Sequence, residues 1–313
     1  KTRYFEKTLK QVNGRCKAPV AEKTAGCTGM SENLIPMNME AKLWFMVLCG
    51  LAVLLRILPV SGDGRLQLLR SQQHAATAKE RDRYCRLAVL AGHREACLMF
   101  CFARSDFFED HQPLKPFKSH GIKVAFYGYY YPSRYADLID DEQRAFCCSL
   151  YQFKEGENHG IEFFKACMSV LNLADALTHP VYAVRDEFKY ARRFKRLDWY
   201  ITTHRPDLSS GLYDVDVFES RDSLHEAKGG EKRILERNYR ITGNIEGKQI
   251  IIVDDVLTSG QSMADYKEEI ERCGGKVVAA IFYGKTVTRP PLLLIKAHVW
   301  GGCIVNKIKE LTK

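Results

Sequence analysis

The stretch that decides the fold is Gln249 to Ser262, QIIIVDDVLTSGQS. Gln249-Ile250-Ile251-Ile252-Val253 is a short, β-branched apolar run, the pattern of a strand buried on both faces in a parallel sheet. Asp254 and Asp255 follow where such a strand would end. Leu257-Thr258-Ser259-Gly260-Gln261-Ser262 then leads into MADYKEEIERC, which puts Met263, Tyr266, Ile270 and Cys273 on one helical face. Gly274-Gly275 suits a left-handed helix cap, and Lys276 to Tyr283 reads as the next strand. The unit is βαβ, with acids and hydroxyls in its first loop.

The loop chemistry follows from the residue types. Backbone N–H groups of a Thr-Ser-Gly turn that opens onto a helix N-terminus form an anion site. Thr258, Ser259 and Ser262 add hydroxyl donors. Asp254 and Asp255 would repel a second phosphate, but they suit a sugar diol or a hydrated Mg²⁺. One phosphate and one diol at the carboxyl end of a strand describe a ribose 5-phosphate. The alternative is a strand that ends in a solvated Asp-Asp turn.

VDDVLTSGQS resembles the phosphoribosyl-pyrophosphate (PRPP) motif of type I phosphoribosyltransferases, with Ser259 and Ser262 standing where the family has threonines. Within that superfamily the chain is most similar to ComF-type proteins. Leu150 to Gly156 (LYQFKEG) and the basic Arg233 to Arg240 (RILERNYR) extend the likeness over roughly residues 121 to 290. The resemblance implies an α/β fold, a parallel sheet flanked by helices; the residue pattern upstream adds an α-helical N-terminal region before it. It implies PRPP as substrate, Mg²⁺ held mainly by that substrate, and a nitrogenous acceptor whose identity no motif encodes. The 5-phosphate would lie on Thr258, Ser259, Gly260, Gln261 and Ser262, and the ribose beside Asp254 and Asp255.

The family places a pyrophosphate loop after a second strand. Asp198 to Thr203 (DWYITT) is the expected strand, making Thr202, Thr203 and Arg205 candidate pyrophosphate ligands. His225 to Arg240 holds Gly229-Gly230 among basic residues, where the family carries a mobile hood, so Arg233 and Arg237 are hood candidates. A solvated amphipathic helix is the other reading of that segment. Lys154 is either a solvated loop lysine or a substrate contact. Gly243 to Lys248 (GNIEGK) mimics a Walker A loop, but it is one residue short and precedes its strand.

The 313 residues predict about two domains with a substantial core. The net charge of +9 fits a polyphosphate substrate, and its spread along the chain gives no nucleic-acid footprint. Eleven irregularly spaced cysteines, with no Cys-x-x-Cys, favour a reducing compartment over a disulfide framework. They also lack the spacing of the N-terminal zinc module common in ComF-type proteins. A cytoplasmic location is expected. A homodimer is among the expected assemblies.

Residues 1–36 are polar and without periodicity, and are expected to be a poorly ordered leader. The chain begins with Lys, so Met37 and Met39 are candidate natural starts. Residues 37–62 contain the uncharged Leu43 to Leu55, extended to Val60 if Arg56 is tolerated. It reads as a membrane anchor, a buried helix or a signal segment. Residues 63–112 are helical in pattern. Tyr84 to Ala96 resembles the turn of a tetratricopeptide-like repeat, in which His93 is expected at the helix turn, and this region is a candidate surface for a protein partner. The transferase-like domain spans residues 113–313. Within it, Ile122 to Tyr131 reads as a strand, and its tyrosines either line a sheet edge or stack on a base. Glu142 to Tyr151 and Gly160 to Leu173 read as helices.

Overall fold

The sheet is built around the strand that QIIIV predicts. In the computed structural model, β6 runs Gln249–Leu257 and is flanked on one side by β7 (Lys276–Thr286) and on the other by β3 (Thr178–Tyr182). With β1 (Phe117–Ser119) and β2 (Ile122–Tyr130), the five-stranded order is β1-β2-β7-β6-β3. Only β1 is antiparallel; β2, β7, β6 and β3 are parallel. The structure describes residues 77–173, 178–182, 187–209, 211–217 and 239–311, together with Gly64, Gln67 and Arg70.

The central strands earn their place by burial. Ile250, Ile251, Ile252 and Val253 are all at 0% exposure, as a strand covered on both faces requires. β6 runs four residues past the apolar stretch, so Asp254 and Asp255 still belong to the strand, with Asp254 opposite Phe282 of β7. β3 carries Pro180, which has no N–H for a ladder. It is tolerated because β3 is an edge strand.

Helices α4 (Asp141–Lys154), α5 (Ile161–Leu171) and α6 (Glu187–His204) meet at an aromatic cluster on β7. Phe153 of α4 lies 5.2 Å from Phe163 of α5, 5.7 Å from Phe194 of α6 and 5.2 Å from Tyr283 of β7, centroid to centroid. α4 starts at a reciprocal capping box between Asp140 and Gln143. α7 (Gln261–Arg272) follows β6 and turns Tyr266 onto Tyr239 of a small antiparallel ribbon, β4 (Val215–Val217) with β5 (Tyr239–Ile241).

One strand assignment is corrected. Asp198 to Thr203 is the last part of α6, an 18-residue helix. Phe194, Leu197 and Ile201 are at 0% exposure and recur at helical spacing, so the amphipathic period overrides the β propensity of Trp-Tyr-Ile-Thr-Thr. The strand beside β6 is instead the short, proline-bearing β3.

The N-terminal helices α1 (Ala78–Leu90) and α2 (Arg94–Phe102) form a hairpin, with His93 as the N-cap of α2, its Nδ1 3.5 Å from the N–H of Ala96. They pack against the C-terminal helix α8 (Leu292–Leu311). After the short α3 (Ser105–Phe108), Glu109 reaches the sheet and joins Lys285 of β7. The leader at 1–36 and the apolar Leu43 to Val60 lie outside the described residues. No described helix is long and apolar enough to cross a membrane.

Candidate active site

Parallel strands put the carboxyl ends of β2, β7 and β6 at one edge of the sheet, where α/β folds bind their ligands. The loop from β6 to α7 sits there. Thr258 and Ser259 are exposed, and Gly260 holds φ +80, a left-handed conformation in which a Cβ would be strained. Gly260 is also the N-cap of α7, so the cap residue itself has no side chain to close that helix end, and its first turn carries no acid. By contrast, α1 and α4 both begin with capping boxes and acidic residues. The α7 terminus thus offers N–H groups and positive dipole to an anion. Ser259 Oγ lies 3.4 Å from the N–H of Gln261, whose side chain donates to Asp265. Thr258 Oγ1 lies 2.9 Å from Thr286 Oγ1 and ties the loop to the end of β7. Ser262 is on the first turn of α7, half-buried.

The two aspartates have different surroundings. Asp254 Oδ1 accepts the backbone N–H of Asp255 at 2.7 Å. Asp255 Oδ2 accepts from Arg193 Nη1 at 3.0 Å, and Lys154 Nζ lies 3.6 Å away. Arg193 is 8% exposed, Asp255 17% and Lys154 29%. Arg193 also donates through Nε and Nη2 to the carbonyl oxygen of Lys154, at 3.1 and 2.9 Å. One guanidinium fork therefore caps the end of α4 and pairs a carboxylate of β6.

Lys154 Nζ is 5.7 Å from the ring centre of Tyr130, whose hydroxyl shares a 2.6 Å hydrogen bond with that of Tyr151. Burial, the bond to Tyr151 and, further down, the charge of Asp255 hold the Tyr130 hydroxyl above the ordinary phenol range. It is a neutral group at the mouth of the sheet.

The structure brings Lys154 together with Asp255 and keeps the Thr258–Ser262 loop beside them. Thr203 and Arg205 are elsewhere. The Thr203 hydroxyl bonds the carbonyl of Trp199 one turn back, and Arg205 forms a two-point pair with Asp207 at 2.8 and 2.5 Å. On α6, Thr203 is ten residues beyond Arg193, about 15 Å along the axis. The pyrophosphate loop expected after a strand at 198–203 loses that strand. Arg233 and Arg237 fall outside the described residues, as does the segment 183–186 that follows β3. GNIEGK forms the turn into the amino end of β6, remote from the carboxyl edge, so the Walker reading is discarded.

Arg193 is the residue that sequence reading missed. Its signal was available: Arg193, Leu197 and Ile201 share one stripe of α6, and a cation on an apolar stripe needs a buried partner.

Comparison with known proteins shows what part of the chain is similar to. Residues 195–293 match a family model described as "Phosphoribosyl transferase domain", of the type I superfamily. The matched span runs from α6 through the β6–α7 loop and β7 to the start of α8. Among curated relatives, the chain is 42% identical over 57 residues to an orotate phosphoribosyltransferase of Sulfolobus acidocaldarius, covering 18% of this chain and 26% of that protein. It is 33% identical over 66 residues to the transcriptional regulator GfcR of Methanococcoides burtonii, covering 21% and 30%, and 32% over 63 residues to GfcR 1 of Methanosarcina barkeri, covering 20% and 29%. The chain thus spans less than a third of the length of these relatives. The ComF-type and helical-repeat resemblances go beyond what these matches carry.

Proposed function

We propose that the chain is a phosphoribosyltransferase that binds PRPP with Mg²⁺ and passes the phosphoribosyl group to a nitrogenous acceptor. The observation that carries this reading is the β6–α7 loop. It joins a helix N-terminus whose cap is the left-handed Gly260, and two hydroxyl residues, to a strand that carries Asp254-Asp255 near its carboxyl end, all within the family match.

On this reading the 5-phosphate rests on the N–H groups and hydroxyls of Thr258 to Ser262, and the ribose diol on the carboxylate side of Asp254. The C1–O bond of PRPP breaks, and its electron pair leaves with pyrophosphate. The acceptor nitrogen forms the new C1–N bond and releases its proton to solvent. Positive charge develops on the sugar ring and negative charge on the leaving group, so rate comes from positioning and electrostatics. The site's hard oxygen donors suit Mg²⁺, and the Asp254 carboxylate would meet such an ion through its water shell. Bound on the pyrophosphate, that ion would neutralise leaving-group charge.

The test is titration calorimetry with PRPP and MgCl₂, followed by pyrophosphate release across a panel of purine, pyrimidine and pyridine bases. Wild type is expected to bind, and Asp254→Asn to weaken binding at least tenfold. Absence of PRPP binding by wild type would falsify the reading.

A second reading has its own support. Two of the relatives are named transcriptional regulators. A PRPP-sensing protein without turnover would bind PRPP as above yet release no pyrophosphate with any base.

A further inference from the structure

The Arg193–Asp255–Lys154 cluster holds two cations around one carboxylate. Arg193 is the tight partner of Asp255, at 3.0 Å and buried, whereas the Lys154 ammonium at 3.6 Å is beyond good hydrogen-bond distance and more exposed. Among the described residues, the Lys154 ammonium meets no carboxylate other than Asp255. The base of its side chain is nevertheless held, because Arg193 grips the backbone carbonyl of Lys154 with two N–H groups. Asp255 lies on β6 and Tyr130 at the end of β2, so an ammonium between them stands over the carboxyl ends of β6, β7 and β2. That is the edge where the Thr258 loop opens, tied to β7 by Thr286.

We propose that Arg193 is a positioning residue: by neutralising Asp255 and pinning the end of α4, it leaves the Lys154 ammonium as an unspent cation that receives a pyrophosphate-type anion. This rests on the transferase reading for its place in a reaction, and it goes beyond it by giving Arg193 and Asp255 roles of their own. Asp255 is an internal counter-ion. Without Arg193, Lys154 would close onto a bare carboxylate and its charge would be consumed.

The experiment follows the Lys154 amine in the full chain. The protein is acylated at low stoichiometry with an N-hydroxysuccinimide ester, and Lys154 is read by peptide mass spectrometry with and without inorganic pyrophosphate. Pyrophosphate is expected to slow acylation of Lys154 at least fivefold, and Lys154→Gln to weaken pyrophosphate binding about tenfold. In Arg193→Gln the free amine should react more slowly and bind pyrophosphate about tenfold less well. Adding Asp255→Asn should restore its reactivity, which a merely structural arginine would not do. If Arg193→Gln folds and Lys154 labels and binds as in wild type, the proposal is overturned. If that variant does not fold, the wild-type protein decides, and failure of pyrophosphate to protect Lys154 overturns it. Protection by pyrophosphate without any PRPP binding would sink the transferase reading and leave this one standing. PRPP binding with Lys154 unprotected would do the reverse.

Discussion

At the residue scale, Gly260 and Asp255 show how much one position can carry. Gly260 sits at φ +80, where a Cβ costs about 1–2 kcal/mol. Gly260→Ala is therefore expected to loosen PRPP binding by roughly tenfold in calorimetry while leaving the thermal midpoint within a few degrees of wild type. Unchanged affinity would show that the loop conformation does not matter to the ligand. Asp255 has a different kind of role. Truncating it leaves Arg193 buried without its carboxylate, a loss of about 3–5 kcal/mol for a buried pair broken on one side. Urea unfolding of Asp255→Ala should report a drop of that order. A negligible loss would show that the Arg193 pair does not tie α6 to β6. The sequence showed two adjacent acids but could not distinguish them. α4 and α6, distant in sequence, bring a lysine and an arginine to Asp255.

At the element scale, the βαβ unit around β6 was legible because its signals agree: a β-branched run, a hydroxyl-glycine turn, an amphipathic helix and a glycine cap. Gly274, at φ +86 beyond the end of α7, is the left-handed cap that Gly274-Gly275 announced. α6 was misread because a six-residue window of aromatic and β-branched residues was judged without its upstream period. β3 was missed because Pro180 argues against a strand anywhere except an edge, and edge position is a property of the finished sheet. Element junctions also supply a test. Gly160 starts α5 at φ +66, and a Cβ there would lie 2.5 Å from the ring of Phe153. Gly160→Ala should cost about 1–3 kcal/mol by crowding the aromatic cluster, measured as a shift in urea midpoint. A neutral outcome would mean that the α4–α5 junction is loosely packed.

At the scale of the whole molecule, the N-terminal helices are bonded into the transferase-like part. Glu109 is 2% exposed; it accepts Lys285 Nζ at 2.9 Å and also the backbone N–H and hydroxyl of Thr288. Lys285 is the β7 residue opposite Leu257, one step before Thr258. Glu109→Ala should therefore lose about 3–5 kcal/mol in urea unfolding, with one transition if the parts unfold together. A small loss confined to a separate helical transition would show that they are independent. A pH dependence arises at the same interface. His298 of α8 packs against Phe107, at 4.1 Å between ring centres, and against Phe108. Burial first, then Arg104 and Arg86, hold its imidazole below the ordinary histidine range. The unfolded chain thus binds this proton more readily, so stability falls as pH drops through the unfolded value near 6.5 toward the lower folded one. The urea midpoint should decrease from pH 7.5 to 5.5, and His298→Phe should flatten that slope. An unchanged slope in the variant would assign the effect to other groups.

The sequence by itself determined the parallel strand, the hydroxyl-glycine turn and the helix that follows it, because each rests on neighbouring residues and local backbone chemistry. Only the tertiary structure decided that Asp255 belongs to Arg193 and that Glu109 closes onto β7. Those contacts join side chains 62 and 176 positions apart. A charge acquires its partner from packing, which no local window of residues contains.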